Sequence, residues 1–157
     1  MNGTVRRAGE KDIPAILKLL VQVNKVHYDE RPDLFNETTK YNEEELGVIV
    51  ADDRTPVFVF EDEDGNVLGH GFCELQRPAN TALLKDNLTL YIDDICVDAN
   101  ARGKHVGQAI CRHILEFARE KGCYNVTLNV WTCNPGARQF YDSLGFEPYK
   151  TGMEMIL

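Results

Sequence analysis

Two extended runs separated by one amphipathic helix constrain this chain most. The first, LTLYIDDICV, spans Leu88 to Val97; the second, NVTLNVW, begins at Asn125. Between them Val106, Ala109, Ile110, Ile114, Phe117 and Ala118 recur on one face of a helix, which Gly122 is placed to stop. One helix between two strands spans a crossover, so the strands run parallel and the connection is right-handed. The chain is therefore α/β.

The remaining pattern adds hairpins and short helices. TVRRA forms an opening strand. Asp12 is expected as the N-cap of a helix carrying Ile13, Ile16, Leu17 and Leu20, with Pro14 in its first turn. His27 to Tyr41 is polar with aromatic insertions and reads as a loop or broken helix. Asn42 and Glu45 resemble a capping box opening a second helix through Ile49. VFVFEDEDGNVLGHGFCEL reads as two strands joined at Gly65-Asn66. NPGARQFYDSLGF gives a short helix ending at Gly145, and MEMIL is expected to return as a final strand. The order is β-α-α-β-β-β-α-β-α-β, with no repeat, linker or second domain.

A length of 157 residues suits one domain, 1–157, large enough to bury a core without a metal or disulfides. The net charge of −8 argues against a general nucleic-acid surface. Cys73, Cys96, Cys111, Cys123 and Cys133 are odd in number and lack C-x-x-C spacing, which favours buried, reduced thiols over a disulfide framework or zinc site. No apolar run approaches the length of a membrane span, and the start lacks a signal-type apolar core. The expectation is a cytoplasmic protein with no metal, nucleic-acid or membrane partner.

At the head of the long helix stands ARGKHVGQA, Ala101 to Ala109. A helix N-terminus offers unpaired N–H groups and the positive end of its dipole. Gly103 and Gly107 let the backbone approach an anion, while Arg102 and Lys104 add charge. The pattern is neither a P-loop nor a dinucleotide fingerprint.

The order strand–RGKHVGQA–helix–strand–NPGARQFY–LGF resembles the GNAT family of N-acetyltransferases. The likeness runs from TVRRAGEKD to LGF and is strongest from Leu88 to Phe146. It implies a mixed, mostly antiparallel central sheet flanked by helices, with splayed parallel strands forming a cofactor cleft. It also implies acetyl-coenzyme A (acetyl-CoA) as cosubstrate. The family's R/Q-x-x-G-x-G/A segment, which holds the diphosphate, corresponds to Arg102, Gly103, Lys104, His105, Val106 and Gly107, with Gln108 following. His105 stands where the family pattern has its first glycine; its backbone N–H can still point at phosphate. The resemblance further assigns Ile95, Cys96 and Val97, and Asn134, Ala137, Arg138 and Tyr141, to the coenzyme.

Moving an acetyl group from a thioester to an amine requires a neutral amine, a stabilised oxyanion and a protonated leaving thiolate. The resemblance makes Tyr141 the leaving-group acid, although Ala137, Phe140, Tyr141 and Leu144 also form a packing stripe. Asn134 can equally cap the helix it precedes. YIDDICV resembles the YLED-type strand of diamine-acetylating relatives, which makes Asp93 the candidate base and Asp94 the alternative if a bulge shifts the register. The acidic, aromatic loop containing His27, Tyr28, Asp29, Glu30, Arg31, Asp33 and Phe35 suits a cationic amine.

The sequence thus points to an N-acetyltransferase acting on a primary amine of a small molecule or protein. The alternative is a non-catalytic acyl-coenzyme A-binding module of the same fold. Transfer of a longer acyl group also stays open, and a homodimer is possible.

Overall fold

The structure is a computed structural model, described over residues 1–79 and 82–157. In chain order the elements are β1 (Gly3–Arg7), α1 (Ile13–Glu30), α2 (Glu43–Ala51), β2 (Val57–Asp62), β3 (Val67–Gln76), β4 (Thr89–Val97), α3 (Val106–Glu120), β5 (Asn125–Leu128) and α4 (Pro135–Ser143). Short 3-10 turns at Glu10–Asp12 and Ala99–Ala101 lead into α1 and toward α3.

The strands lie in chain order, β1-β2-β3-β4-β5; the first four pair antiparallel and β5 joins β4 in parallel. VFVF shows why both faces are covered. Phe58 and Phe60 enter a core with Ile92, Val106, Ile110 and Ile114 beneath α3. Val57 and Val59 enter the other core, with Ile16 and Leu20 of α1 and Leu46 of α2. A strand buried on both sides reads as a continuous apolar run.

Two irregularities shape the fifth strand's surroundings. In the β3–β4 ladder Phe72 faces Asp94 and Cys73 faces Ile92, so Asp93 is an extra residue bulged out of β4. The β4–β5 pairing stops at Ile92 and Leu128, while β4 continues to Val97. The parallel strands therefore part at the bulge, giving the expected splay.

Several expectations change in detail. Asp12 is not a side-chain cap for α1. It accepts the Gly9 N–H at 2.8 Å and a forked pair from Arg6 at 2.8 and 2.9 Å, so α1 begins through a 3-10 turn. Of the two readings of His27 to Tyr41, loop or broken helix, the first residues follow the helical one: His27 to Glu30 complete α1, which ends at Arg31, steered out of helical geometry by Pro32. Asn42 caps α2 as expected, accepting from the Glu45 N–H at 2.8 Å. NVTLNVW is strand only to Leu128, because β4 has already turned away and offers no ladder beyond. MEMIL forms no strand: Met153, Met155, Ile156 and Leu157 are exposed, and Glu154 pairs with Arg31 at 2.8 Å. Apolar β-formers become a strand only where a neighbour completes their hydrogen bonds.

Candidate active site

The site is built where β4 leaves β5. From Asp93 to Val97 the β5-facing edge of β4 has no strand partner, while its other edge stays paired to β3. Ile95, Cys96 and Val97, assigned by the resemblance to the coenzyme, lie on this stretch. Ile95 and Val97 pack toward the α3 core. Cys96 is buried on the α1 side, where its thiol donates to the Leu19 carbonyl at 3.4 Å. Any ligand contact from Cys96 is thus through its backbone.

Next in the chain, Asp98 accepts the Asn100 N–H at 2.8 Å and the Gln22 side-chain amide at 3.1 Å. Gln22 also accepts the Ala99 N–H at 3.1 Å, so α1 clamps the turn ahead of the glycine-rich loop. Arg102, Gly103, Lys104 and His105 are exposed. Gly103 has φ 75° and His105 φ 65°, both left-handed. His105 therefore adopts the backbone that a glycine takes most easily, and it is the residue immediately before α3. Its side chain makes no capping hydrogen bond. The first-turn N–H groups of Val106, Gly107 and Gln108 have no intrahelical acceptors and suit an anion. A β-carbon on Gly107 would lie 3.4 Å from both Phe140 and Val97, so this turn is closely flanked by α4 and β4.

On α4, Asn134 accepts the Ala137 N–H at 3.1 Å and acts as the helix cap. Arg138 pairs with Asp142 at 2.9 Å on the exposed side. Tyr141 is packed edge-on against Phe140 and Phe146. Burial pushes the Tyr141 phenol well up from its ordinary value, and Cys111, Asp94 and Cys73 add to the shift. It stays protonated across neutral pH, and its hydroxyl has no hydrogen-bond partner among the described residues.

The bulge separates the two acids. Asp94 shares the α1 side of the sheet with Phe72, its register partner, and its side chain is 16% exposed beside His70. Asp93 is an exposed residue whose side chain, 30% exposed, is ion-paired with Lys40 from the loop between α1 and α2. Lys40 also lies 5.3 Å from the Tyr41 ring centroid. The same loop brings Phe35 against His27 at 5.1 Å and Trp131 at 5.6 Å, forming an aromatic wall beyond β5. Sequence reading missed Lys40, Trp131 and His70. Lys40 carries no local signal, whereas His70 stands out as one imidazole between Gly69 and Gly71 in the buried part of β3.

The profile of the Acetyltransferase (GNAT) family matches residues 20–146. The chain belongs to the GNAT family. It is 33% identical over 116 residues to glucosamine 6-phosphate N-acetyltransferase 1 of Oryza sativa subsp. japonica, covering 73% of this chain and 66% of that one. It is 35% identical over 96 residues to streptothricin acetyltransferase of Streptomyces lavendulae, covering 61% and 46%. The chain thus spans less than two thirds of these relatives. Among solved structures, a mutant of the BH1408 protein from Bacillus halodurans superposes with a TM-score of 0.93 at 28% identity, covering 98% of each chain. The mixed sheet and its flanking helices are those of the GNAT fold.

Proposed function

We propose that this GNAT protein transfers an acetyl group from acetyl-CoA directly to a primary amine of a small molecule or protein. The observation that carries the reading is the open edge of β4. It joins a left-handed, glycine-bearing loop at one end to a carboxylate and a protonated phenol at the other.

The parts present fit the cosubstrate. The backbone amides from Gly103 to Gln108 would hold the diphosphate, with Arg102 and Lys104 adding charge. The free N–H and C=O groups between Asp93 and Val97 suit an extended amide-bearing arm, which can add to the sheet like another strand. Asn134 and Ala137 would flank that arm. The bound cosubstrate supplies the acetyl thioester.

The acceptor amine usually arrives protonated, since a lysine-like amine has an ordinary pKa of about 10.4. Asp94 takes that proton. It is chosen over Asp93 because the bulge turns it to the α1 side and its charge acts on Tyr141, whereas Lys40 already neutralises Asp93. Tyr141 donates its proton to the departing sulfur, a role open to a phenol kept neutral by burial. The Asp93–Lys40 pair and the aromatic wall border the acceptor's approach.

The test is an acetyl-CoA turnover screen across polyamines, aminoglycosides, amino sugars including glucosamine 6-phosphate, amino acids and peptide N-termini. Free thiol released in step with acetylated amine supports the reading. Coenzyme binding without turnover on any class rejects it in favour of a binding module.

A further inference from the structure

His70 on β3 is wholly buried, at 0% exposure, yet one of its ring nitrogens is unpaired among the described residues. Nε2 lies 3.2 Å from Asp94 Oδ2, while Nδ1 has no partner among the described residues. Such an atom needs a physical reason, because buried polar groups are nearly always satisfied.

The groups around the ring narrow its state. Phe72 packs edge-on at 4.8 Å and offers no hydrogen-bonding atom. Cys96, the register partner across the strand, has its thiol committed to the Leu19 carbonyl, and burial pushes it up to about 12. Asp94 is thus the acid facing the ring. A protonated imidazole would strand a second N–H donor at Nδ1 in the core with no acceptor to receive it. The neutral ring with its proton on Nε2 strands only an acceptor lone pair, and it donates to the carboxylate.

We propose that His70 is a positioning residue for the amine-deprotonating carboxylate: a neutral Nε2–H tautomer that holds Asp94 by one oxygen and leaves the other free for the acceptor's ammonium. The inference rests on the role given to Asp94 above. It follows that His70 does not itself take the amine proton. It fixes the rotamer of Asp94 where the bulge would otherwise leave the acid free to swing toward solvent. It also explains a histidine in the core: phenylalanine would fill the space without orienting the acid.

Two measurements on the full chain test this. Nitrogen-15 correlation spectra of the imidazoles at pH 7 are expected to show His70 neutral with its proton on Nε2. Asp94→Ala should shift that signal by removing its acceptor. An imidazolium, an Nδ1–H tautomer, or a signal indifferent to Asp94→Ala overturns the pairing, whether or not the protein turns over any amine. The second measurement is kinetic, with acetyl-CoA and 1,3-diaminopropane as probes. His70→Phe should lower kcat by about 10–100-fold with KM for acetyl-CoA within about twofold, and His70→Gln, which keeps a donor, should recover most of the loss. A folded His70→Phe with parental kcat, or a His70→Gln no better than it, overturns the positioning role. Absence of turnover in the parent protein on every amine class of the screen above would instead overturn the acetyltransferase reading and leave the spectra to decide the pairing.

Discussion

A β-carbon on Gly69 would stand 2.9 Å from Ile110 Cδ1 and 2.9 Å from the Cys96 carbonyl oxygen, so α3 lies on β3 more closely than any side chain there permits. The same atom would meet Val106 at 3.1 Å, in the first turn of α3. If the head of α3 holds the diphosphate as proposed, this contact couples packing to coenzyme binding. Gly69→Ala is expected to cost about 1–3 kcal/mol in urea unfolding and to weaken coenzyme binding by calorimetry. Gly9→Ala, where a β-carbon meets nothing within 4 Å, should change neither.

Removing only the phenolic proton of Tyr141 separates catalysis from binding. Tyr141→Phe should keep the ring packing on Phe140 and Phe146 and leave the coenzyme Kd within about twofold, while kcat falls by about 100-fold or more. Steady-state kinetics beside calorimetry checks this. An unchanged kcat removes Tyr141 from the reaction.

At His105 the left-handed backbone sets the sign of substitutions. A left-handed conformation costs an L-residue roughly 1–2 kcal/mol. His105→Gly relieves that strain but adds chain entropy when unfolded, so its stability should lie within about 1 kcal/mol of the parent. His105→Val, β-branched and ill-suited to φ 65°, should lose about 1–2 kcal/mol and weaken coenzyme binding as the loop shifts. Thermal unfolding with and without acetyl-CoA distinguishes them.

The buried Asp12 predicts an acid-sensitive fold. The Arg6 guanidinium holds its carboxyl below the ordinary value of 3.8; the Gly9 N–H assists while burial opposes. A carboxyl depressed in the folded state contributes stability that is fully present above 3.8 and is lost as pH falls through its lower folded value. Asp12→Asn should therefore cost about 2 kcal/mol at pH 7 and flatten the loss of stability as pH falls below 3.8. An equal drop in both proteins on acidification would assign the acid limb to other carboxylates.

Much of the fold was legible because local signals agreed with tertiary demand. The period of Val106, Ile110 and Ile114 located α3, and the Gly65-Asn66 turn located the β2–β3 hairpin. What failed depended on neighbours absent from local sequence. NVW had apolar strand-formers, but β4 had bent away at Asp93. MEMIL had them too, but pairs with no strand. The choice between Asp93 and Asp94 turned on one bulged residue, and strict alternation alone favours neither. Lys40 and His70 reach the acids from 53 and 24 residues away, a proximity that the fold alone creates.

The proposed function requires main-chain amides ahead of α3 to receive the diphosphate of acetyl-CoA. A crystal structure of the full chain with coenzyme A measures this directly. The predicted result places the diphosphate oxygens about 2.7–3.2 Å from N–H groups between Gly103 and Gln108, with the arm along β4 from Asp93 to Val97. A diphosphate seated on any other element, with that loop empty, contradicts it.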